Sequence, residues 1–259
     1  MHPLADSHVH LDDQSFDADR LDVIARSRAA GVSTQIIPAV TAASWAPIAM
    51  LCTKHADLHP AYGLHPMFLA QHQPSQIDAL QRWLTDHRAV AIGEIGLDYF
   101  VDGLDRQLQQ NYFIRQLELA REFETPVIVH ARRALEDVIL NLRKIGGLRG
   151  VVHSFSGSEE QARQLWKLGF HIGIGGPVTY PRAQRLRRMV ADMPIEYLLL
   201  ETDAPDQPDA NHRGMRNEPA RLPEILQCIA ELRQENPATI ASITSSNTRR
   251  LFGLAQVTP

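Results

Sequence analysis

The sequence predicts an α/β protein, a (β/α)8 TIM barrel folded as a single domain over residues 1–259. Short apolar or β-branched runs alternate eight times with longer amphipathic segments, a pattern typical of parallel strands joined by crossover helices. The length of 259 residues suits one such barrel, and 44% hydrophobic residues suit a full core. A doubly wound open sheet is the less favoured alternative, because no G-x-G-x-x-G or P-loop motif follows the first run.

The predicted strands are short and bounded by turn residues. Several are almost wholly apolar, as expected for strands buried on both faces. They span residues 5–10, 32–40, 60–65, 89–95, 126–130, 150–155, 171–176 and 195–202.

The predicted helices are long enough to cross over to a parallel neighbour. They lie near residues 17–30, 43–56, 75–87, 104–124, 134–145, 158–168, 181–192, 218–235 and 237–251. The stretch 204–219, rich in Pro, Asp and Asn, predicts a long loop after the eighth strand. In a barrel that loop lies on the catalytic rim.

Composition narrows the class of protein. A net charge of −4 argues against a basic module that wraps nucleic acid, so any nucleic acid has to be bound locally. Cys52 and Cys228 are far apart in the sequence, which indicates neither a disulfide framework nor a zinc knuckle. No secretory signal and no membrane-spanning apolar run is present. We therefore expect a cytoplasmic protein with no membrane association and no obligate protein partner.

Polar side chains occur at the carboxyl ends of five predicted strands. His8 and His10 end the first strand two residues apart, so both imidazoles should point to one face. The remaining polar residues are Glu94, His130, His153 and Asp203. An imidazole that follows β-branched apolar residues is costly to bury without a partner, and a metal ion supplies one.

Taken singly, each of these residues has an ordinary structural explanation. The stretch ADSHVHLDD could be a solvated terminal segment, a lone histidine could be hydrogen-bonded in the core, and Asp203 could form a turn. Packing alone does not explain four histidines and two carboxylates at the end of the strands where barrel active sites lie. Six ligands exceed the need of one four-coordinate ion. The sequence therefore predicts two divalent ions, Zn²⁺, Mn²⁺ or Mg²⁺, with Glu94 as the bridging ligand.

The same residues carry a resemblance to a known family. The segments DSHVHLD, AYGLHP, AIGEIGLDYF, PVIVHARR, GVVHSFSGS, GFHIGIGG, LLLETDAP, RGMRNEP and NTRRLFGL occur in that order. Over nearly its whole length the chain resembles the TatD-type metal-dependent deoxyribonucleases of the amidohydrolase-like superfamily, and most of all their YjjV-type branch. The resemblance implies a metal-dependent hydrolase with the six ligands already named. Ala131 and Ser154 stand where many relatives carry Ser and Cys, and neither belongs to the ligand set.

Asp203 and Glu94 are the predicted catalytic residues. Two ions ~3.5–4 Å apart would lower the pKa of a shared water and orient it toward phosphorus, and Asp203 is the predicted proton acceptor. Asp6 and Glu201 are predicted to support metal ligands from behind, with a structural salt bridge as the alternative for Glu201. The neighbouring acids Asp12 and Asp13 are expected at the solvated start of the first loop.

Two residues are predicted to bind the scissile phosphate. His65 ends the third predicted strand, and Arg132 follows His130 by two residues. A guanidinium binds phosphate bidentately. The alternatives are a turn histidine for His65 and a rim salt bridge for Arg132.

Further substrate contacts are predicted outside the metal site. Arg213 and Asn217, with Arg216, would contact a nucleic-acid backbone from the long loop. Tyr99 or Phe100 would stack a base. A solvated basic loop and core aromatics explain these residues equally well.

The site predicts a hydrolase with a metal-activated water, and the family resemblance implies the substrate: a deoxyribonuclease or phosphodiesterase of the exonuclease type, which cleaves nucleic-acid ends, DNA rather than RNA. Two alternatives stay open: an amidohydrolase-like enzyme acting on a small amide, ester or lactone, and a deacylase of misacylated tRNA. No Lys follows the fourth strand closely, where the wider group carries a carbamylated bridge, and this disfavours the amidohydrolase alternative. A non-enzymatic binding module fits the ligand set poorly.

Overall fold

A computed structural model describes residues 3–255 and places eight parallel strands in one sheet, paired in chain order. The strands are β1 (Leu4–Asp6), β2 (Val32–Pro38), β3 (Leu58–Tyr62), β4 (Ala91–Asp98), β5 (Val127–Arg132), β6 (Gly150–Val152), β7 (Phe170–Ile174) and β8 (Leu198–Leu200). Ser7 N donates a hydrogen bond to Leu200 O at 2.9 Å, so the ends of β1 and β8 meet and the barrel is nearly closed. The predicted barrel and its single domain are confirmed. Residues 1–2 and 256–259 of the predicted domain lie outside the described residues.

Each strand is followed by a helix on the outside of the barrel. The helices are α1 (Arg20–Ala29), α2 (Trp45–Lys54), α3 (Ser75–Asp86), α4 (Arg106–Glu122), α5 (Leu135–Ile145), α6 (Glu159–Lys167), α7 (Gln184–Asp192), α8 (Leu222–Arg233) and α9 (Pro237–Leu251). Local sequence fixes several starts: Ser158 and Gln161 form a capping box at α6, and the Asp105 side chain accepts from Leu108 N at α4. The predicted loop at 204–219 contains only short 3-10 turns.

The first strand is shorter than predicted. β1 ends at Asp6, because the residues beyond it donate backbone hydrogen bonds to both neighbouring sides instead of continuing the ladder with β2. Val9 N donates to Ile36 O of β2 at 3.1 Å, whereas His10 N donates to Ala204 O, beyond β8, at 2.8 Å. The segment that carries His8 and His10 is therefore extended and held from both sides, although it is not part of the regular ladder.

The apolar core of the barrel lies directly beneath the polar site. The buried inner cluster contains Ile36, Ala61, Ala91, Ile128, Val151 and Leu199 from the barrel strands, Val90 just before β4, Leu251 at the end of α9, and Phe252 and Leu254 just after it. In four strands the polar residue follows such a core residue by two to four positions: Ala91 precedes Glu94, Ile128 precedes His130, Val151 precedes His153 and Leu199 precedes Asp203. The strand direction thus sets the polar side chains on the carboxyl-end face of a packed barrel.

Among residues 3–255, no helix combines the length and the apolar character needed to cross a lipid bilayer.

Candidate metal centre

The six predicted ligands converge at the carboxyl end of the barrel. Their imidazole nitrogens and carboxylate oxygens fall into overlapping groups whose atoms lie within 4.8 Å of one another. Glu94 lies within β4 and His130 within β5, whereas the others follow the ends of β1, β6 and β8. Side chains from five strands therefore meet at one place, as the sequence predicts.

Four donor atoms form the first group. His8 Nε2 lies 3.1 Å from His10 Nε2, 3.2 Å from Glu94 Oε2 and 3.5 Å from Asp203 Oδ1. His10 Nε2 lies 3.4 Å from the same Glu94 oxygen and 3.7 Å from Asp203 Oδ1. Ligands ~2.1 Å from a tetrahedral ion are ~3.4 Å apart. The spacing of these four atoms fits a single cation.

Three donor atoms form the second group. Glu94 Oε1 lies 2.8 Å from His153 Nε2 and 3.0 Å from His130 Nδ1, and the two imidazole nitrogens are 3.3 Å apart. Three protein ligands with one open position are the arrangement that catalytic metal sites use. Glu94 directs one carboxylate oxygen to each group.

The electrostatics of the cluster are those of a site built for a cation. Burial raises the pKa of the Glu94 carboxyl, but the surrounding imidazoles of His65, His153 and His8 outweigh burial and hold that pKa well below its usual range. Burial lowers the pKa of His153, but the Glu94 carboxylate outweighs it and raises that pKa to about 9. A proton on His153 therefore supplies positive charge beside Glu94, and a metal ion bound there would displace it.

Asp98, which the sequence reasoning missed, orients His130. Asp98 Oδ2 lies 2.9 Å from His130 Nε2, and Asp98 Oδ1 accepts from Phe100 N at 2.8 Å and from Val101 N at 3.1 Å. The hydrogen bond assigns the proton to Nε2 and leaves Nδ1, which faces Glu94, free to bind metal. A signal was present, since an even spacing of four residues along β4 places Asp98 on the same face as Glu94.

Glu201 is buried behind His153, but His153 Nδ1 has no hydrogen-bond partner among the described residues, so the predicted support of the ring is not observed as a hydrogen bond. Glu201 Oε1 accepts from Ser154 N at 2.5 Å and lies 4.0 Å from His153 Nδ1. Burial raises the pKa of the Glu201 carboxyl to about 8. No Lys or Arg of the described residues pairs with it, so the salt-bridge alternative is not what the structure shows.

Asp6 supports the site through the backbone rather than through an imidazole. Its carboxylate accepts from His8 N at 3.2 Å, from Thr202 N at 3.0 Å and from Thr202 Oγ1 at 2.6 Å. Asp6 thereby fastens the segment that carries His8 to the segment that carries Asp203.

Gln207 and Ser154 form a second support that the sequence did not reveal. Gln207 Nε2 donates to Asp203 Oδ2, and Ser154 Oγ donates to Gln207 Oε1 at 2.9 Å. Asp203 is therefore held by one oxygen and directs the other toward His8 and His10. Gln207 lies in a long loop without periodicity, so no pattern in the sequence could have placed it.

His65 lies beside Glu94 as a hydrogen-bond donor. Its Nδ1 accepts from Met67 N at 3.1 Å, which assigns the ring proton to Nε2, and Nε2 lies 2.9 Å from Glu94 Oε1. Burial lowers the pKa of His65 to about 4, so the ring is neutral. His65 also forms a donor group with Glu94 and His130, and its neutral ring is suited to donate a hydrogen bond from Nε2 at the edge of the cluster.

A cleft of about 710 Å³ opens above the cluster, and both His65 and Arg132 line it. The Arg132 guanidinium lies over the Phe100 ring, 3.7 Å from its centroid. Within residues 3–255 Arg132 has no ion pair, so the rim salt bridge considered for it is not observed. Tyr99 instead donates its hydroxyl to Asp137 at 2.8 Å, which holds this ring in a packed network.

Asp12 and Asp13 are both half-buried and line the cleft. Asp12 has a buried carboxylate oxygen without a hydrogen-bond partner, so the expected solvated position is wrong for Asp12. Asp13 Oδ1 accepts from Ser15 N at 2.8 Å and so begins a 3-10 turn.

The three residues predicted on the long loop have different positions. Arg213 is exposed and is not among the described residues that line the cleft. Arg216 is paired with Asp19 at 2.7 Å. Asn217 is fully buried and donates its amide to Thr202 O at 2.9 Å and to Asp206 O at 2.8 Å, which leaves it no exposed atom for a substrate. Asn217 therefore stabilises the loop.

The fold and the donor set together define the class: a metal-dependent hydrolase built on a barrel. Comparison with known proteins gives the family. The model for TatD related DNase matches residues 5–253, and the chain belongs to this family, as its motifs indicate.

Similarity to individual relatives extends over the full length. The chain is 39% identical over 252 residues to the uncharacterized metal-dependent hydrolase YjjV of Escherichia coli K12, covering 96% of this chain and 97% of that protein. The crystal structure of that TatD homolog superposes with a TM-score of 0.94 at 38% identity, covering 97% of this chain and 98% of the other. The chain is also 37% identical over 260 residues to the 3′-5′ ssDNA/RNA exonuclease TatD of Rahnella sp. strain Y9602, covering 95% of this chain and 97% of that protein.

Proposed function

We propose that this hydrolase cleaves phosphodiester bonds at the ends of single-stranded nucleic acid, DNA in preference to RNA, and that it uses two divalent cations bridged by Glu94. One observation carries the proposal: Glu94 divides its two oxygens between a four-atom and a three-atom donor group, beneath a cleft whose wall carries Arg132, an arginine without an ion pair among residues 3–255. Family membership and the name of the Rahnella exonuclease support the choice of nucleic acid.

The donor types fit the cations proposed. His8, His10 and Asp203 would hold one ion and His130 and His153 the other, with Glu94 shared between them. Imidazole-rich sites favour Zn²⁺ or Mn²⁺, and carboxylates also accept Mg²⁺. When bound, the ions would lower the pKa of water and neutralise charge on the phosphate in the transition state.

The chain's own residues position the reacting groups. Asp203 keeps one oxygen on Gln207 and the other beside His8 and His10, where it would accept the proton of the attacking water. Arg132 would bind the nonbridging phosphate oxygens, because its guanidinium has no carboxylate partner among the described residues. His65 would donate its Nε2 proton to the phosphate or keep it on Glu94.

The net charge agrees with a local substrate site, and the two cysteines agree with the proposed location. The net charge is −4, so binding would depend on the few cations at the cleft and would weaken with salt. Cys52 and Cys228 are free thiols, which suits the cytoplasmic location that we propose.

The test uses metal-free protein reconstituted separately with Mg²⁺, Mn²⁺ and Zn²⁺ and incubated with single-stranded DNA labelled at the 3′ or the 5′ end. We expect stepwise shortening from one end, and loss of activity in Asp203→Asn. Asp22→Asn is the matched control, because this exposed carboxylate lies on α1. Absence of cleavage with all three metals would refute the nuclease proposal. Hydrolysis of a small ester or lactone in the same preparation would then favour the amidohydrolase alternative.

A further inference from the structure

Two consecutive arginines share one exposed aromatic ring at the mouth of the cleft. Phe100, in the loop after β4, is 42% exposed. The guanidinium carbons of Arg132 and Arg133 lie 3.7 Å and 4.6 Å from the centre of its ring, within the range of cation–π contacts. We call these three residues the arginine ledge.

The backbone is shaped to bring both arginines to the ring. Consecutive side chains of a strand point to opposite faces, so two neighbouring arginines would ordinarily diverge. Arg133 has a φ of 54°, in the left-handed region that costs a non-glycine residue about 1 kcal/mol or more. This turn at the end of β5 directs Arg133 to the ring that Arg132 already covers.

The charges of the ledge are not neutralised. Neither Arg132 nor Arg133 forms an ion pair or a side-chain hydrogen bond within the described part of the chain, and both are exposed. Other exposed arginines do pair with carboxylates: Arg26 with Glu218 at 2.6 Å, and Arg28 with Asp57 at 2.6 Å. Two unpaired cations held side by side by an aromatic ring form a preorganised anion-binding surface.

The ledge extends outward from the metal centre. Arg132 lies two residues beyond His130 and lines the cleft, whereas Arg133 and Phe100 lie outside the cleft lining. An anion on Arg132 would be near the metal ligands, and a second anion on Arg133 would be farther out. Successive phosphates along a nucleic-acid strand would place one negative charge at each of these two positions.

We propose that the arginine ledge is a second phosphate subsite, in which Arg133 binds the phosphate next to the scissile one and the exposed edge of Phe100 contacts the intervening nucleoside. The substrate of the proposed reaction is then a polynucleotide with at least two phosphates, rather than a small monoester or lactone. This inference rests on the proposed nuclease function and adds the substrate length that the site selects.

The test measures binding separately from cleavage. In the Asp203→Asn background loaded with Mn²⁺, a fluorescein-labelled twelve-nucleotide DNA strand and a dinucleotide with one phosphodiester are titrated by anisotropy at several salt concentrations. Arg133→Gln and Phe100→Leu are compared with Arg82→Gln, an exposed arginine on α3. Cleavage of both substrates is then measured in the same variants with Asp203 intact.

We expect Arg133→Gln to weaken binding of the strand about 3- to 10-fold and to reduce the slope of log K against log salt by ~0.7, the value for one phosphate contact on a single strand. The ratio of kcat/KM for the strand to that for the dinucleotide should fall by the same factor. Phe100→Leu should also weaken binding of the strand and lower this ratio, and Phe100→Tyr should restore the preference for the strand over the dinucleotide.

Each outcome decides between the two proposals. If the wild type cleaves DNA but Arg133→Gln and Phe100→Leu match Arg82→Gln in affinity, salt slope and length preference, the ledge is refuted and the nuclease function stands. An equal loss for strand and dinucleotide also refutes the ledge, because it indicates a general disturbance of the site. If the wild type neither binds nor cleaves the strand, both proposals fail.

Discussion

The substitution Asp98→Asn tests whether Asp98 determines which nitrogen of His130 is free for metal. The substitution preserves size and shape but replaces one carboxylate oxygen by an NH₂ group. Oδ1 is already bonded to Phe100 N and Val101 N, so the NH₂ group would face His130 Nε2, now 2.9 Å from Oδ2. Two N–H groups cannot share one hydrogen bond. The ring proton would therefore move to Nδ1, the nitrogen that faces Glu94.

The expected effect is large on metal binding and small on stability. Loss of a carboxylate behind a histidine ligand lowers metal affinity ~10–100-fold, which corresponds to ~1.4–2.8 kcal/mol. Both backbone hydrogen bonds to Oδ1 remain, so the free energy of unfolding should be almost unchanged. Asp98→Ala removes those bonds too and should destabilise the protein by about 2 kcal/mol or more.

Affinity is measured by competition of the metal-free protein with a chromogenic chelator, and stability by thermal unfolding without metal. Asp102→Asn serves as the control, because this exposed carboxylate lies in the same loop. Metal binding by Asp98→Asn as tight as that of the wild type would refute the argument. A loss of stability equal to that of Asp98→Ala would also refute it, since the side chain would then act mainly through the backbone.

Three further predictions concern neighbouring parts of the site. Gly173→Ala places a Cβ 1.9 Å from Glu201 Oε2, and thermal unfolding should show that the free energy of unfolding falls by ~1–3 kcal/mol. Gly169→Ala provides the contrast, because this glycine has open space around it and a φ of 80°, so its cost is backbone strain without a clash. Asn217→Ala removes the hydrogen bonds that its amide donates to Thr202 O and Asp206 O and the one that it accepts from Glu218 N, and should lower Tm by several degrees, while an unchanged Tm would contradict the structural role of Asn217. Glu94 raises the pKa of His153 to about 9, so metal binding at pH 7 should release protons and metal affinity should rise with pH toward 9. Calorimetry in buffers of different ionisation enthalpy measures that release, and affinity independent of pH would contradict it.

The convergence of the six predicted ligands could be inferred from the sequence because of where these residues lie on the strands. A histidine after VIV or VV is incompatible with an apolar core unless a partner is present, and the alternation of side chains indicates which face it occupies. Asp98 could have been found by the same reasoning, because its spacing from Glu94 is even. The position at which β1 ends could not have been found in this way, because it depends on hydrogen bonds to both neighbouring strands.

Other features depend on backbone angles that no periodicity reports. Arg133 and Gln207 have φ values of 54° and 49°, and these turns bring one side chain onto Phe100 and the other onto Asp203. A pattern of residue types gives the strand face, but it does not give the direction of a side chain where the strand has ended. The substrate-facing part of the site was therefore less predictable than its metal-binding part.

The candidate metal site also lies on the seam of the barrel, where β1 meets β8. Between β1 and β8 the regular ladder is replaced by hydrogen bonds around the ligands: Asp203 N donates to His8 O at 2.9 Å, and the Asp6 carboxylate accepts from both sides of the seam. A cation shared by His8 and Asp203 would add a further link across that seam. By contrast, His130 lies on the regular pairing of β4 with β5. Ligands at the seam should therefore couple metal binding to the closing of the barrel, whereas His130 should affect metal binding with little effect on the fold.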